Sequence, residues 1–361
     1  LAGVVAGCGP GAAPRTEPDP PSGPGPAPTR QLLSDTPVRV ARTKAELQRY
    51  LRESQDAVIG IEGTITIQPP ARGGWPRWGT CVLDHLHPDG TLTLVGLGAD
   101  SGFRYAEEFD GTYPIEAVVM LRFRRRSILL RNLTFQDFQW KGTPVKFEGC
   151  GQVRVEGCRF RRIGSVPYEY GRYGRAIGGG TNDPQVIVTF GCLNGSADDL
   201  EVRDCLFEDC CVNARAWAHC LYVSGTGQAR VQDCRFVRCG NPLALDYPAL
   251  HIEGSTFRDF ASCRLRDGSM GPPVFCYPNA ARVVIRDNTL GGTILRWGEA
   301  DPAFDGQIDR NDYAELRYTA GHWFRIRPDR YYTWAQWRAH GLDPNSAPPR
   351  RAGREDAGPD E

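Results

Sequence analysis

The chain lacks an excess of either charge: lysines plus arginines number 43, aspartates plus glutamates 43, and the formal net charge is zero. Such a balance provides no global field to gather nucleic acid or an anionic membrane surface, so no nucleic-acid partner is expected and any electrostatic recognition must be local. Past the first residues, no apolar run approaches the roughly 20 residues that a membrane-spanning helix needs. No cysteines stand at Cys-x-x-Cys spacing, and no His-Glu-x-x-His occurs. Cys210 and Cys211 are adjacent, too close for two independent zinc arms, so the expectation is no metal site. The glycine cluster GRAIGGGTND lacks the strand and helix that frame a phosphate loop. Scattered Asp and Asn are compatible with Ca²⁺, but no spacing points to it.

What is abundant is turn chemistry, with 42 glycines and 28 prolines in 361 residues, a length that suits one large domain or two ordinary ones. The opening LAGVVAGCGPG carries Val5-Ala6-Gly7-Cys8, which resembles a bacterial lipobox, the site where a signal peptide is cut before a lipid-modified cysteine. The resemblance implies an exported lipoprotein of the cell envelope or surface, with membrane contact only through an anchor on Cys8. Residues 9–36 are rich in Pro, Gly and Ala and read as a solvated tether. Residues 37–346 form the expected folded domain, and 347–361 a disordered tail. Twelve cysteines follow Cys8, an even number compatible with an oxidising compartment.

One string recurs along the domain: SILLRNLTFQDF from Ser127, QVRVEGCRFRRI from Gln152, DLEVRDCLFEDC from Asp199, QARVQDCRFVRC from Gln228, ALHIEGSTFRDF from Ala249 and RVVIRDNTLGGT from Arg282. Each copy alternates apolar and polar residues, turns a polar or Gly-containing corner, and resumes with a small residue and then an aromatic or Leu. Period two predicts a strand with one buried face, and the corner predicts a second short strand. A unit this short cannot bury its own face, so copies must stack. Stacking predicts three vertical ladders. The first is Leu133, Cys158, Cys205, Cys234, Ser255 and Asn288. The second is Phe135, Phe160, Phe207, Phe236, Phe257 and Leu290, and the third is Phe138, Ile163, Cys210, Cys239 and Phe260. Most of these cysteines then serve as small buried apolar residues.

The irregular spacing between copies, taken up in loops, resembles the pectin-lyase-like superfamily of right-handed parallel β-helices. The resemblance covers about Pro37 to Ser346 and implies an all-β, single-stranded parallel β-helix. Thr43 and Glu46 make a capping box for a helix with Leu47, Tyr50 and Leu51 on one side, similar to the N-terminal plug of such solenoids. Thr333 and Gln336 make a second one before Gly341, similar to a C-terminal capping segment. In an exported chain of this kind, Cys263 with Cys276 and Cys150 with Cys192 are the disulfide pairings to expect.

In that superfamily, the strand before each motif lines a glycan groove. The corresponding segments are TPVKF from Thr143, VIVTF from Val186, HCLYV from His219, PLALD from Pro242 and PVFCY from Pro273. If their flanking apolar residues point inward, Lys146, Thr189, Tyr222, Ala244 and Phe275 face outward. The entering loops carry Tyr168, Tyr170, Arg172, Tyr173 and Arg175, then Arg215 and Trp217. Aromatic faces stack on sugars and guanidinium forks bind carboxylates, so an acidic polysaccharide is the expected partner of a monomeric protein. Cleavage by β-elimination needs a base and a cation at the uronate, and Lys146, Arg175, His219 and Tyr222 are the candidate catalytic residues. The contrasting expectation is a glycan-binding or envelope-structural β-helix without catalysis. The Trp-Ile-Asp-His and Arg-x-Pro-x-x-Arg signatures of pectate lyases are missing. Asp198 and Asp199 precede LEVRDC and not a groove strand, so a paired-aspartate hydrolase site is not expected.

Overall fold

The computed structural model describes residues 39–67, 80–105, 118–138, 142–164, 191–211, 219–258, 274–276, 280, 282–290, 295–296, 305–313, 324–327 and 330–348. Cys8, the tether and the tail beyond residue 348 lie outside the described residues, as does the VIVTF segment.

The repeated string folds as its alternation predicts. Strands His219–Ser224, Gln228–Gln232 and Arg235–Val237 follow one another. The next three, Asn241–Asp246, Ala249–Glu253 and Thr256–Arg258, pair with them one for one and in parallel, aligning Leu221 with Leu243, Val231 with Ile252 and Phe236 with Phe257. Parallel neighbours require a long crossover, and here each crossover consists of the other two strands of the turn. In earlier turns the first two strands merge into long ones, Gly142–Glu156 and Leu193–Arg203, with a register shift between Gly195 and Ala197 where the ladder bends. The strands form two sheets, of 16 and 8 strands. The pairings are parallel except for the last, Phe324–Arg327 against Arg330–Tyr332. This arrangement fits an all-β parallel solenoid.

The corner of each repeat has a backbone cause. Asn132, Gly157, Asp204, Asp233, Gly254, Asp287 and Arg310 all adopt φ between +51° and +62°, where the chain leaves one strand and enters the next. Asn, Asp and Gly tolerate this left-handed region best, which is why those residues recur at the corner. A second left-handed corner, at Asp137, Arg162, Asp209 and Arg238, closes the turn.

Inside, the ladders stand as the sequence predicts. The rings of Phe135, Phe160, Phe207, Phe236 and Phe257 stack with centroids 4.6–4.9 Å apart and nearly parallel planes. Phe103 extends the column below Phe135 at 5.4 Å. Beside them, Cys158, Cys205 and Cys234 are wholly buried, each thiol donating to the carbonyl two residues earlier. Ser255 does the same with its hydroxyl, accepting from Cys234 N at 3.1 Å. Asn288 then accepts from Ser255 N, and Asn311 from Asn288 N, so the column passes from sulfur to hydrogen-bonded amides as it rises. A buried polar side chain is tolerated because both its donor and its acceptor are used. Phe138, Ile163, Cys210 and Cys239 form the buried third ladder, whose Phe260 lies outside the described residues.

Helix α1, Lys44–Glu53, begins at the Thr43 and Glu46 capping box and buries Leu47 and Leu51 in the same core as Ile59 and Ile61. Helix α2, Trp334–Ala339, has the Thr333 and Gln336 box and buries Trp337. Just beyond it, Asp343 is fully buried and accepts from Trp337 Nε1, Tyr313 Oη, Asn311 Nδ2 and Ser346 Oγ at 2.6–3.1 Å. Four donors around one carboxylate replace the water it has lost.

Candidate functional site

The first strands of successive turns bring one row of residues into register. Arg122 aligns with Lys146, Lys146 with Asn194, Asn194 with Tyr222, Tyr222 with Ala244, Ala244 with Phe275, Phe275 with Arg296, and Arg296 with Arg325. Flanking residues such as Val145, Phe147, Leu221 and Val223 are buried, so Lys146 and Tyr222 lie on the face away from the core. One rung spans about 4.8 Å, which places Lys146 and Tyr222 roughly 10 Å apart along the sheet.

Within the row, the Lys146 ammonium lies 2.8 Å from Glu148, whose same oxygen is 3.8 Å from Arg122. Tyr222 is 41% exposed, one of two large hydrophobic side chains so displayed among the described residues. His219 belongs to the wall and not to its open face: it is 3% exposed, with its ring 5.6 Å from that of Tyr222. The rung expected of Thr189 is held by Asn194, because the strand that pairs here is Leu193–Arg203. Ala244 keeps its place in the row but is 2% exposed, and so does not line an open floor. Phe275 is in register, but its side chain lies outside the described residues. Tyr168, Tyr170, Arg172, Tyr173, Arg175, Arg215 and Trp217 also lie outside them. Asp198 and Asp199 accept hydrogen bonds from Thr226 and from Gln228 N, which pins the next turn.

Arg122 and Asn194 join the row without having been among the expected residues, and positions 296 and 325 continue its register. The signal for Arg122 was present: LRFRRRS alternates as TPVKF does, with Leu121 and Phe123 buried on either side.

A second cluster lies in the interior. The sulfurs of Cys192, Cys211 and Cys220 are all within 4.8 Å of one another, and all three residues are fully buried. Hydrogen bonds from Cys192 and Cys220 bring the Cys211 thiol down to about 6, whereas burial pushes Cys192 and Cys220 well up. Cys150 and Cys192 are free thiols, which corrects the pairing expected of them. The Cys150 thiol donates to the Phe123 carbonyl at 3.3 Å. Cys263 and the side chain of Cys276 are outside the described residues.

Comparison of the chain with protein-family models, with curated proteins and with solved structures finds no match.

Proposed function

We propose that the protein is a right-handed parallel β-helix of the pectin-lyase-like kind that binds an acidic, uronate-containing polysaccharide along the Arg122, Lys146, Asn194 and Tyr222 row. In this reading α1 and the segment from Trp334 to Ser346 plug the two ends, and Cys8 tethers the domain to a bacterial envelope. The observation that carries it is the exposed Tyr222 ring in line with the Lys146 and Arg122 cations on one straight wall. A polysaccharide repeats along its length as the wall does. The aromatic face receives a sugar ring, and the cations receive its carboxylates.

Cleavage by β-elimination is the second reading, favoured by the His219 and Tyr222 rings lying side by side two rungs from the Lys146 cation. Tyr222, as the phenolate, would take the sugar C5 proton and return it to the departing glycosidic oxygen as the C4–O bond breaks and the C4=C5 double bond forms, while Lys146 and Arg175 neutralise the carboxylate and His219 positions the Tyr222 ring. The burial of His219 and the Lys146 to Glu148 ion pair favour binding over this chemistry.

Affinity electrophoresis in gels containing polygalacturonate, alginate or heparin, with dextran as the neutral control, tests the first reading. The expected result is retardation by an acidic glycan, weakened about tenfold in Tyr222→Ala by loss of stacking worth about 1.4 kcal/mol. Lys146→Ala is expected to flatten the salt dependence. Equal mobility in all gels overturns the proposal. Ultraviolet absorbance from an unsaturated uronate product decides for the second reading.

A further inference from the structure

The cysteines divide by what the fold does with them. Those of the ladders repeat with the turns, and their thiols reach backbone carbonyls, although Cys210 and Cys239 also border the sulfurs of Cys192 and Cys220. Cys210 and Cys239 donate to Phe160 O and Phe207 O at 3.3 Å, as Cys205 and Cys234 donate to Val155 O and Val202 O. Of the other three, Cys192 and Cys220 are stacked in adjacent turns, and Cys211 belongs to a different position of the turn. Cys192 and Cys220 stand side by side at the entrance of two adjacent first strands, where Cys192 N donates to Cys220 O at 3.0 Å. Cys211 reaches them from the opposite end of its turn, beyond the short strand Leu206–Glu208.

The backbone at Cys211 is the second sign that this meeting is specific. Cys211 N donates to Ile163 O, as Gly164 N donates to Phe138 O one turn earlier and Gly240 N to Cys210 O one turn later. The equivalent position is therefore glycine in both neighbouring turns. Gly164 has φ +59° and Cys211 has φ +58°. A side chain in this left-handed conformation costs on the order of 1 kcal/mol that glycine avoids. The strained corner also lets two consecutive residues, Cys210 and Cys211, both face inward, which an ordinary strand forbids. Across the cluster, Gly191 has φ +134° and lies so close to the His219 carbonyl that a Cβ would collide with it. Glycine there allows the segment carrying Cys192 to press against the one carrying Cys220.

We propose that Cys192, Cys211 and Cys220 form a buried, closed site for one thiophilic d¹⁰ metal ion, Zn²⁺ or Cu⁺, held by sulfur. Three sulfurs this close need little adjustment to surround an ion at the usual metal–sulfur distance of about 2.3 Å. Thiolates select such ions over Ca²⁺ and Mg²⁺. Coordination releases the thiol protons to solvent and changes no oxidation state. With every sulfur buried, no substrate reaches the ion from solvent, so its role is to tie the turn containing Cys211 to the adjacent first strands. It also gives an exported chain a reason to keep three neighbouring thiols out of disulfides.

The test uses the full chain, because a closed site loads as the protein folds. Protein unfolded under anaerobic reducing conditions is refolded with Zn²⁺, with Cu⁺ or with Co²⁺ as a visible reporter, and desalted. About one ion per chain is expected to be retained, and the Co²⁺ form is expected to show thiolate-to-metal charge-transfer absorption. The Zn²⁺ and Cu⁺ arms identify the preferred ion. Cys211→Gly gives the corner the residue its neighbours use, so it is expected to fold and to lose at least about nine-tenths of the bound metal. The ladder variant Cys205→Ala is expected to keep it. Wild-type protein that refolds with no ion retained and no charge-transfer band overturns the proposal without any variant. So does Cys211→Gly retaining a full complement, or a disulfide between any two of the three in the metal-treated protein.

Discussion

Cys158, Cys205 and Cys234 are as buried as Cys192, Cys211 and Cys220, yet the two groups are put together by different means. The first group occupies one position of a repeated turn, and the replacement of its members higher up by Ser255 and Asn288 shows what that position requires. It needs a small side chain able to donate to a nearby backbone carbonyl, two residues earlier for Cys205 and Ser255 and in the preceding turn, at Ile252, for Asn288. The second group breaks the repeat. Cys211 stands where the turns on either side carry glycine, and its sulfur meets two others that come from separate first strands. Regular stacking makes a residue replaceable by anything of the same size and bonding. A cluster that joins a stacked pair, Cys192 and Cys220, to a third residue from another part of the turn depends on each member separately.

The largest test of this contrast lies on the regular side. Phe207 stacks between Phe160 and Phe236 at 4.8 and 4.6 Å, so Phe207→Ala opens a cavity in mid-column that rigid neighbours cannot fill. A loss of about 3–5 kcal/mol is expected in urea unfolding. A loss below about 1 kcal/mol would mean that the column does not carry the core. Cys205→Ser is expected to cost only about 1 kcal/mol, because a hydroxyl donates to the Arg203 carbonyl as Ser255 does to Glu253. A much greater cost would show that sulfur itself matters in the ladder.

On the irregular side, Cys211→Gly in metal-free protein is expected to shift stability by under about 1 kcal/mol. Relief of the left-handed backbone offsets the lost thiol packing. The smallest effect belongs to the outer face. Partial burial first, and then the Arg230 charge, hold the His251 pKa below its ordinary 6.5, against the pull of Glu253. The unfolded chain therefore takes up this proton first as pH falls through 6.5, and stability should decline from there down to the folded value. His251→Gln should flatten that decline in denaturant midpoints measured across the range. An unchanged slope would assign the dependence to other groups.

The turns were legible wherever the period of the chain matched the period of the fold. Alternation identified the strands, the Asn, Asp and Gly corners marked the left-handed residues, and the aromatic and small columns followed from alignment alone. Both helix starts are readable from four-residue capping boxes. Where the period lapses, the reading slipped. VIVTF alternates as the strand beside TPVKF should, but the rung next to Lys146 belongs to Asn194, and the long stretch before it carries no repeat to count from. His219 was expected at the groove, and its burial follows from its position at the very start of a first strand, next to Cys220, where alternation has not begun.

By itself the sequence determined the repeating strands, the corners and the columns, since each is a local pattern copied from turn to turn and stacked by backbone hydrogen bonds. Only the tertiary structure decided which residues stand in line across the outer wall and which three thiols meet inside. Those groupings depend on how far each insertion carries the chain before the next strand docks, and nothing local to Cys192, Cys211 or Cys220 encodes that distance.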